Sequence, residues 1–540
     1  STLTASNGGT IQAGALATLL GVAVSVDGVS SLPLPALTSA TISQFTVTGA
    51  AQSIPNLTDF DGSNAYVAGG GDLSMPALTT FTNLANLNDQ YRTLQASGIG
   101  SVLDLRNVTT ITNGTAHDTN LTIQALAGAA VNLSGLTQIT DTSSGDQAYR
   151  AINVTADGPE SLVNVSSLAN ITDNYAGTNG DQRFSTITAS NGGTIQAAAL
   201  ATLVGVAASL DGTSSLALPA LASATISQFT VTGGTETLPK LTDFDGSNAF
   251  VSGGGTLALP ALTSYTNLAN LNDQYRTLQA NGAGSVLDLR NVTTITNGAA
   301  HDTNLTIQAL AGATVNLGGA TQIVDPPTGD QTYRAINVTA DGEGSTVNLA
   351  ALTNFTDNYA GTNGDQRFST ITASNGGTIQ AAALTTLVGV AASVDGMSGL
   401  ALPALASVTI SQFSVSGGTE TLPKLTDFDG SNALVSGGGD LALPALTSYT
   451  NFANLNDQYR TLQASDPGSR LDLHNVTTIT NGAAHDTNLT LQALAGATVN
   501  LAGATQIVDP PTGDQTYRAI NVNADGAGSV VSLPALTSFE

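Results

Sequence analysis

Hydrophobic positions recur along the chain in short segments, each with an apolar residue between mostly polar neighbours and a glycine soon afterwards. The tripeptides Thr186–Thr188 and Thr230–Thr232 are examples, and Gly192 and Gly233 follow them. This alternation is typical of a short β-strand with one buried side chain. Glycine allows the positive φ angles that a sharp corner needs. The pattern therefore predicts a strand that ends at a corner.

A second apolar motif, apolar-x-apolar-Pro-x-Leu, follows each of these segments. It is complete in Leu216–Leu221 and Leu257–Leu262. Weaker versions in the same stretch begin at Ile195, Glu236, Leu287, Val315 and Val347. Proline deletes a hydrogen bond from a continuous ladder, so it predicts a strand end or corner at this point. A unit of this size buries its apolar face only by stacking on a neighbour.

The units group into a longer repeat of 184 residues. Ser1–Gly9 returns as Ser185–Gly193 and as Ser369–Gly377, and the third copy has 172 residues. Seven units in each of three copies give 21 units. We therefore predict an all-β fold, a parallel β-helix (β-solenoid) of about 21 rungs. Its repeats would be residues 1–184, 185–368 and 369–540, in one continuous rod.

Composition agrees with this fold class. The chain has 58 Gly, no Cys, no Trp and only 13 Lys and Arg. The helix-forming residues Glu, Lys and Arg are scarce, whereas Thr and Val, which favour strands, are common. A leucine-rich repeat has an overlapping period, but its Leu-x-x-Leu-x-Leu-x-x-Asn signature is missing and no segment of the unit has a helical pattern.

The net charge excludes several classes of partner. A charge of −26 and a pI near 4.1 argue against nucleic acid, whose phosphates require clustered Lys and Arg. They argue equally against anionic membrane surfaces. The chain has no apolar run of 18 residues, so we predict no membrane insertion. A chain without cysteine uses no disulfides, which is compatible with secretion.

Four units of a complete copy carry longer polar connections. In the second copy these are Thr266–Gln274, Thr296–Asn304, Asp325–Thr332 and Asp357–Arg367. Insertions in a solenoid form loops that often lie on one face. We therefore predict that these loops share one edge of the stack.

The loops end in recurring Asp, Tyr and Arg residues. They are Asp89, Tyr91, Arg92, Asp146, Tyr149 and Arg150, then Asp273, Tyr275, Arg276, Asp330, Tyr333 and Arg334, then Asp457, Tyr459, Arg460, Asp514, Tyr517 and Arg518, with a variant at Asp181–Phe184 and Asp365–Phe368. One hypothesis is a surface that binds a ligand or partner. The other is a stacked ladder in which Arg offsets neighbouring Asp charges and aromatic rings stack between rungs.

A calcium site is a separate hypothesis. The segment Asp-Phe-Asp-Gly-Ser-Asn recurs and offers Asp59, Asp61, Asn64, Asp243, Asp245, Asn248, Asp427, Asp429 and Asn432. The full twelve-residue loop and its terminal Glu are missing. The alternative is a turn, which the same residue types favour. We predict no other cofactor.

Catalysis has little support in the sequence. His117, His301 and His485 hold one repeat position, each beside an Asp, and His474 is the fourth histidine. Polysaccharide lyases and hydrolases with a β-helix fold use clustered carboxylates, but here the Asp candidates recur in every copy and no single cluster stands out. We predict that the protein is not an enzyme.

Units such as Gly253–Thr263 resemble the tandem β-helix regions of large secreted bacterial surface and matrix proteins. The resemblance covers the whole chain as a pattern of composition and period, without a diagnostic site. It implies an extracellular or cell-surface location and the role of a fibre, stalk or adhesin.

The expected function is therefore structural: a segment of an extracellular filament or cell-surface fibre whose partners are copies of itself, assembled head to tail or laterally. The alternative is an adhesin whose polar loop edge holds a glycan or a protein. Ice binding is a third hypothesis, because Thr186–Thr188 and Thr230–Thr232 pair hydroxyl groups, but the equivalent positions elsewhere are irregular.

Overall fold

The computed structural model describes residues 1–84, 88–146, 148–173, 184–268, 272–330, 332–358, 368–451 and 456–540. Throughout these ranges the regular structure is β-strand, and no helix occurs in them. Successive strands of each sheet pair in parallel. The predicted all-β parallel β-helix is confirmed.

Each rung of the coil has three sides, which we call PB1, PB2 and PB3 in chain order. In the part of the chain that the structure describes, twenty-one strands form PB1, in agreement with the predicted number of rungs. The chain forms two compact units, Ser1–Leu262 and Thr263–Glu540.

The first unit contains strands of all three sides. PB1 comprises Thr2–Ala5, Ala23–Asp27, Gln44–Thr48, Asn64–Ala68, Tyr91–Ser97, Asn120–Leu126, Ala151–Asp157, Ser185–Ser190, Val206–Asp211, Gln228–Thr232 and Asn248–Ser252. PB2 comprises Ala51–Ser53, Asp72–Ser74, Val102–Asp104, Ala130–Asn132, Leu162–Asn164, Thr194–Gln196, Ser215–Ala217, Thr235–Thr237 and Thr256–Ala258. PB3 comprises Thr18–Leu20, Ser39–Thr41, Thr80–Thr82, Thr110–Thr112, Gln138–Asp141, Asn170–Asp173, Thr202–Val204 and Ser223–Thr225.

The second unit repeats the same order of sides. PB1 comprises Tyr275–Asn281, Asn304–Leu310, Ala335–Asp341, Ser369–Ser374, Val390–Asp395, Gln412–Ser416, Asn432–Ser436, Gln458–Ser465, Thr487–Leu494 and Ala519–Asp525. PB2 comprises Val286–Asp288, Thr314–Asn316, Thr346–Asn348, Thr378–Gln380, Gly399–Ala401, Thr419–Thr421, Asp440–Ala442, Arg470–Asp472, Thr498–Asn500 and Val530–Ser532. PB3 comprises Ser264–Thr266, Thr294–Thr296, Gln322–Asp325, Asn354–Asp357, Thr386–Val388, Ser407–Thr409, Ser448–Thr450, Thr478–Thr480, Gln506–Val508 and Ser538–Phe539.

Apolar side chains stack in register inside the coil. On PB2, Val163, Ile195 and Leu216 pair in successive rungs and are at most 2% exposed. On PB1, two side chains of a strand point inward, as Phe229 and Val231 do, whereas the sequence predicted one. The difference arises because most PB1 strands have five or more residues, so alternation places a second side chain inside.

The corners depend on glycine in two ways. Gly192 and Gly233 have φ angles of 87° and 75°, as predicted for a sharp corner. Gly193 is needed for a different reason, because a Cβ atom there would lie 2.1 Å from the carbonyl oxygen of Ala156 in the preceding rung. Pro219 lies in the turn between PB2 and PB3, so the predicted corner position of proline is also correct.

Within the described residues, PB2 is interrupted at the same step of every copy; in the first copy, the rung with the isolated bridge between Thr10 and Ser31 is not continued by Ala51–Ser53. The sheet that ends at Ser215–Ala217 does not pair with Thr235–Thr237, and the same break separates Gly399–Ala401 from Thr419–Thr421. At the same rung, PB3 is reduced to an isolated bridge, Ser223 to Asp243 in the first unit and Ser407 to Asp427 in the second. These rungs are joined to the preceding rung through PB1 and through backbone hydrogen bonds on the PB3 side, such as the one from the Ala224 amide to the Asp243 carbonyl oxygen at 2.8 Å.

The sequence repeats do not coincide with breaks in PB1. Ser185–Ser190, which starts the second repeat, pairs with Ala151–Asp157 of the first. Ser369–Ser374, which starts the third, pairs with Ala335–Asp341 of the second. The division into three repeats within one continuous rod remains a prediction.

Candidate functional site

The long connections run from PB3 to PB1, so within each unit they lie on one edge of the coil. In each copy, three of them form what we call a loop cluster. Each cluster includes the first residues of the PB1 strands that follow the loops, and only residues that the structure describes are meant. Cluster one lies within residues 83–92, 113–120 and 142–150, cluster two within 267–276, 297–304 and 326–334, and cluster three within 451–460, 481–488 and 509–518. The fourth connection carries Asp181–Arg183 and Asp365–Arg367, which lie outside the described residues.

A tyrosine hydroxyl joins the first two loops of each cluster. The Tyr275 hydroxyl donates a hydrogen bond to Asp302 Oδ2 at 2.6 Å, and Tyr459 does the same to Asp486 at 2.6 Å. In cluster one, Tyr91 donates to Asp118 Oδ2. The backbone reinforces this link, because the amides of Asp89, Asp273 and Asp457 donate to the carbonyl oxygens of His117, His301 and His485 at 3.0 Å.

A histidine joins the second loop to the third. His117 Nδ1 lies 3.5 Å from Asp146 Oδ2, and the His117 ring meets the Tyr149 ring edge-on with centroids 5.3 Å apart. Copies two and three repeat both contacts: the nitrogen–oxygen distance is 3.6 Å and the ring distance is 5.5 Å in each. The residues concerned are His301, Asp330 and Tyr333, then His485, Asp514 and Tyr517. The structure therefore brings together Asp and Tyr residues that the sequence marked as candidates.

The arginines of the first loops hold backbone and amide oxygens. Arg92 donates from Nη1 to the carbonyl oxygen of its neighbour Tyr91 and from Nη2 to Gln90 Oε1. Arg276 and Arg460 make the corresponding contacts and are 3% and 2% exposed. Burial lowers the pKa of Arg276 and Arg460. These side chains fix the loops and are largely withdrawn from the surface.

The arginines of the third loops lie inside the coil. Arg150 Nη2 is 2.9 Å from Asp141 Oδ1, and both side chains are fully buried. Arg334 and Asp325 form the same buried pair at 3.2 Å. Arg150 also donates to the carbonyl oxygens of Gly114 and Ser144. The nearby Asp146, which the sequence suggested as an acidic neighbour, contacts His117 instead.

A buried polar column, which the sequence analysis missed, continues from this ion pair. Asn83 Nδ2 donates to Asn113 Oδ1 at 2.9 Å, and Asn113 Nδ2 donates to Asp141 Oδ2 at 2.8 Å. Asp141 pairs in register with Asp173, which accepts hydrogen bonds from Ser185. Burial raises the pKa of Asp141 to about 7. The repeat spacing of Asn, Asn, Asp and Asp at the end of PB3 was the available signal.

The second copy has an equivalent column. Asn267 Nδ2 donates to Asn297 Oδ1 at 3.0 Å, and Asp325 pairs in register with Asp357. Burial, followed by the charge of Asp357, raises the pKa of Asp325 to about 7. Because both carboxyl groups are buried beside one guanidinium group, this column is a structural element of the coil.

The segments that carry the calcium candidates lie between PB2 of one rung and PB1 of the next in each copy, at the place where other rungs have a PB3 strand. Asp59 accepts hydrogen bonds from Ser39 Oγ at 2.9 Å and from the Asp61 amide at 3.2 Å. Asp61 accepts from the Thr82 amide at 2.7 Å, and Asn64 from the Thr93 amide at 2.8 Å. Asp243 and Asp427 accept the corresponding serine bonds at 3.0 Å. Burial raises the pKa of Asp61 and Asp429.

These hydrogen bonds fit the turn interpretation of the segment. Asp245, Asn248 and Asn432 occupy the equivalent places in copies two and three, and Asn432 accepts a bond from the Thr461 amide at 2.8 Å. Within the ranges that the structure describes, no group of three or more His, Asp and Glu side chains is arranged to hold a metal ion.

A shallow groove of about 270 Å³ borders cluster one. Ile42 and Leu84 contribute apolar side chains that are 43% and 46% exposed. The remaining lining residues are Thr82, Asn83, Asn113, Gly114 and Thr115. The groove gives this edge of the coil an apolar patch among polar loops.

Comparison with protein-family models, with curated proteins and with solved structures found no match. Among the described residues, no helix is long and apolar enough to cross a membrane.

Proposed function

We propose that this chain is a structural protein of an extracellular filament or cell-surface fibre. The supporting observation is the parallel pairing of successive rungs with the same residues in register, such as Val163, Ile195 and Leu216 on PB2. In this arrangement, backbone hydrogen bonds run along the stacking axis, and each buried aliphatic side chain contributes roughly 1.5–3 kcal/mol before entropy is counted. A load along that axis is shared by many bonds.

The partners in this proposal are copies of the same chain, added head to tail or side by side. Electron microscopy of the purified chain over a range of concentrations tests it directly. We expect filaments whose diffraction contains a reflection near 4.8 Å along the fibre axis. Compact particles that stay monomeric at every concentration would exclude the fibre proposal.

The extracellular location rests on the resemblance to secreted surface proteins. It is tested by adding protease to intact cells that express the chain. Surface exposure predicts digestion without cell lysis, whereas protection until lysis would contradict it.

A second candidate function is adhesion through the loop edge. The observation that favours it is the exposed tyrosine pair of each cluster, because Tyr91 and Tyr149 are 56% and 45% exposed. Replacing the three loops of each cluster by short turns should abolish binding of a cell-surface ligand and leave the coil folded. Unchanged binding would exclude this candidate.

A further inference from the structure

Exposed aromatic side chains are concentrated in the loop clusters. Six of the 11 tyrosines of the chain hold the two tyrosine positions of the three clusters. Tyr275 and Tyr333 of cluster two are 50% and 44% exposed, and Tyr459 and Tyr517 of cluster three are 50% and 75% exposed. Tyrosine presents a large apolar face with a polar end, which suits it to binding surfaces.

The loops that carry these rings are held before any ligand arrives. In cluster two, Asp302 accepts from the Tyr275 hydroxyl and from Asn304 Nδ2, and Asn304 Nδ2 also donates to the Tyr333 carbonyl oxygen. His301 contacts Asp330 and the Tyr333 ring. Because these bonds link three loops, little side-chain freedom is left to lose on binding.

The second tyrosine of each cluster has an unusual backbone conformation. Tyr149, Tyr333 and Tyr517 have φ angles of 61–62°, in the left-handed region that bulky residues rarely adopt. Glycine would occupy this position without strain. The same strained residue in all three copies indicates that the ring itself is required, since outliers of this kind cluster at binding sites.

We propose that each loop cluster binds a segment of a polysaccharide that carries no anionic groups. A pyranose ring presents C–H bonds to an aromatic face and hydroxyl groups to acceptors. The carboxylates of Asp146 and Asp330 are 58% and 55% exposed beside the second tyrosine and can accept those hydroxyl protons. A net charge of −26 disfavours polyuronates and sulfated glycans.

The spacing of the rings fits a polymer. The two tyrosines of a cluster belong to loops two rungs apart, which is roughly 10 Å along the stack and comparable with a disaccharide. Clusters two and three repeat after seven rungs within the second unit, which is roughly 34 Å. A single long chain can therefore contact successive clusters, and simultaneous contacts raise the apparent affinity.

The test measures binding of the purified full chain to a neutral β-glucan, to chitin and to a polyuronate. The main variant combines Tyr149→Asn, Tyr333→Asn and Tyr517→Asn, because asparagine tolerates the left-handed conformation and keeps the loops folded. Tyr66→Thr is the control, since Tyr66 faces outward from a PB1 strand and is not one of the cluster residues. Far-ultraviolet circular dichroism and the urea midpoint establish that each variant is folded.

We expect the wild type and the Tyr66→Thr control to bind a neutral polysaccharide and not the polyuronate. The triple variant should bind roughly a hundredfold more weakly, because three linked sites are lost together. Combining Tyr91→Phe, Tyr275→Phe and Tyr459→Phe keeps the rings but removes a loop bond, and should weaken binding about three- to tenfold.

Three results would overturn the proposal: no binding to either neutral polymer, equal binding to the polyuronate, or unchanged binding by the triple asparagine variant. The proposal rests on the adhesive candidate function and not on fibre formation. Electron microscopy of the same samples reports assembly independently, so failure of one proposal is distinguishable from failure of the other.

Discussion

Glu236 and Glu420 occupy inward positions of PB2 where other rungs have an aliphatic residue. Glu236 pairs in register with Leu257, and Glu420 with Leu441. Among the described residues, neither carboxyl group has a hydrogen-bond or ion-pair partner, and burial is the only influence on the pKa of either. Copy one has Gln52 at this position, in register with Leu73, and so supplies an uncharged internal control.

Burial raises the pKa of both glutamates from 4.5 to about 7. The folded chain therefore keeps the proton up to a higher pH than the unfolded chain does. Stability is greatest below pH 4.5 and falls as the pH rises from 4.5 to about 7, above which the loss is complete. We predict that Glu236→Gln stabilises the chain above pH 7 and has little effect at pH 4.

The size of the effect follows from the pKa difference. A shift from 4.5 to about 7 corresponds to roughly 3 kcal/mol, because each pKa unit is about 1.36 kcal/mol. Water reaches part of these carboxyl groups and screens them, so we expect about 1–2 kcal/mol for Glu236. The effect at Glu420 should be smaller, because it is the more exposed of the two.

Hydrogen exchange measured by mass spectrometry at pH 5 and pH 8, corrected for intrinsic rates, separates the three positions. Peptides covering 235–237 and 419–421 should lose roughly tenfold in protection at pH 8, because 1.4 kcal/mol is a factor of ten. The peptide covering 51–53 should not change, and Glu236→Gln should restore protection at its own site only. Equal loss at all three positions, or none at any, would refute the reasoning.

Three further predictions follow from contacts described above. Arg334→Leu should destabilise the second unit by about 3–5 kcal/mol in urea denaturation, because it leaves Asp325 buried without its cation. Adding Asp325→Asn to this variant should recover part of the lost stability. Gly193→Ala should lower stability by about 1–3 kcal/mol through overpacking, measured by thermal melting, whereas Gly14→Ala should not, since its Cβ would meet nothing within 4 Å. Calcium and chelator should leave the melting temperature unchanged, because the oxygens of the three Asp-Phe-Asp-Gly segments already accept hydrogen bonds; a calcium-dependent rise would contradict this.

The fold was predictable because its signals are local and repeat many times. Each unit carries alternation, a glycine corner and a proline corner, so an error at one rung is corrected by the others. The predicted number of inward side chains on PB1 was wrong, because the prediction used one apolar residue in each strand. That residue alone does not give the length of the strand, and a longer strand places a second side chain inside. Phe229 lies inside although it precedes the predicted buried position of Val231 by two residues.

The candidate site was predictable in its residues but not in their pairing. The ladder hypothesis had Arg offset neighbouring Asp charges but named no pair, and the coil folds Arg150 inward onto Asp141 of the preceding PB3 strand. The inward path of a long side chain depends on the corner geometry, which composition does not specify. For the same reason, the column from Asn83 to Asp173 resembled ordinary polar loop sequence.

The interruption of PB2 has a mechanical consequence. Between Ser215–Ala217 and Thr235–Thr237, and again between Gly399–Ala401 and Thr419–Thr421, neighbouring rungs lack one of the three rows of bonds that join rungs elsewhere. When the chain is stretched along its stacking axis, the two rungs on either side of each interruption would separate first. The chain would then extend in segments of defined length, and each separation of two rungs would dissipate energy. A tether built from such repeats would therefore absorb a sudden load without losing all its rungs at once.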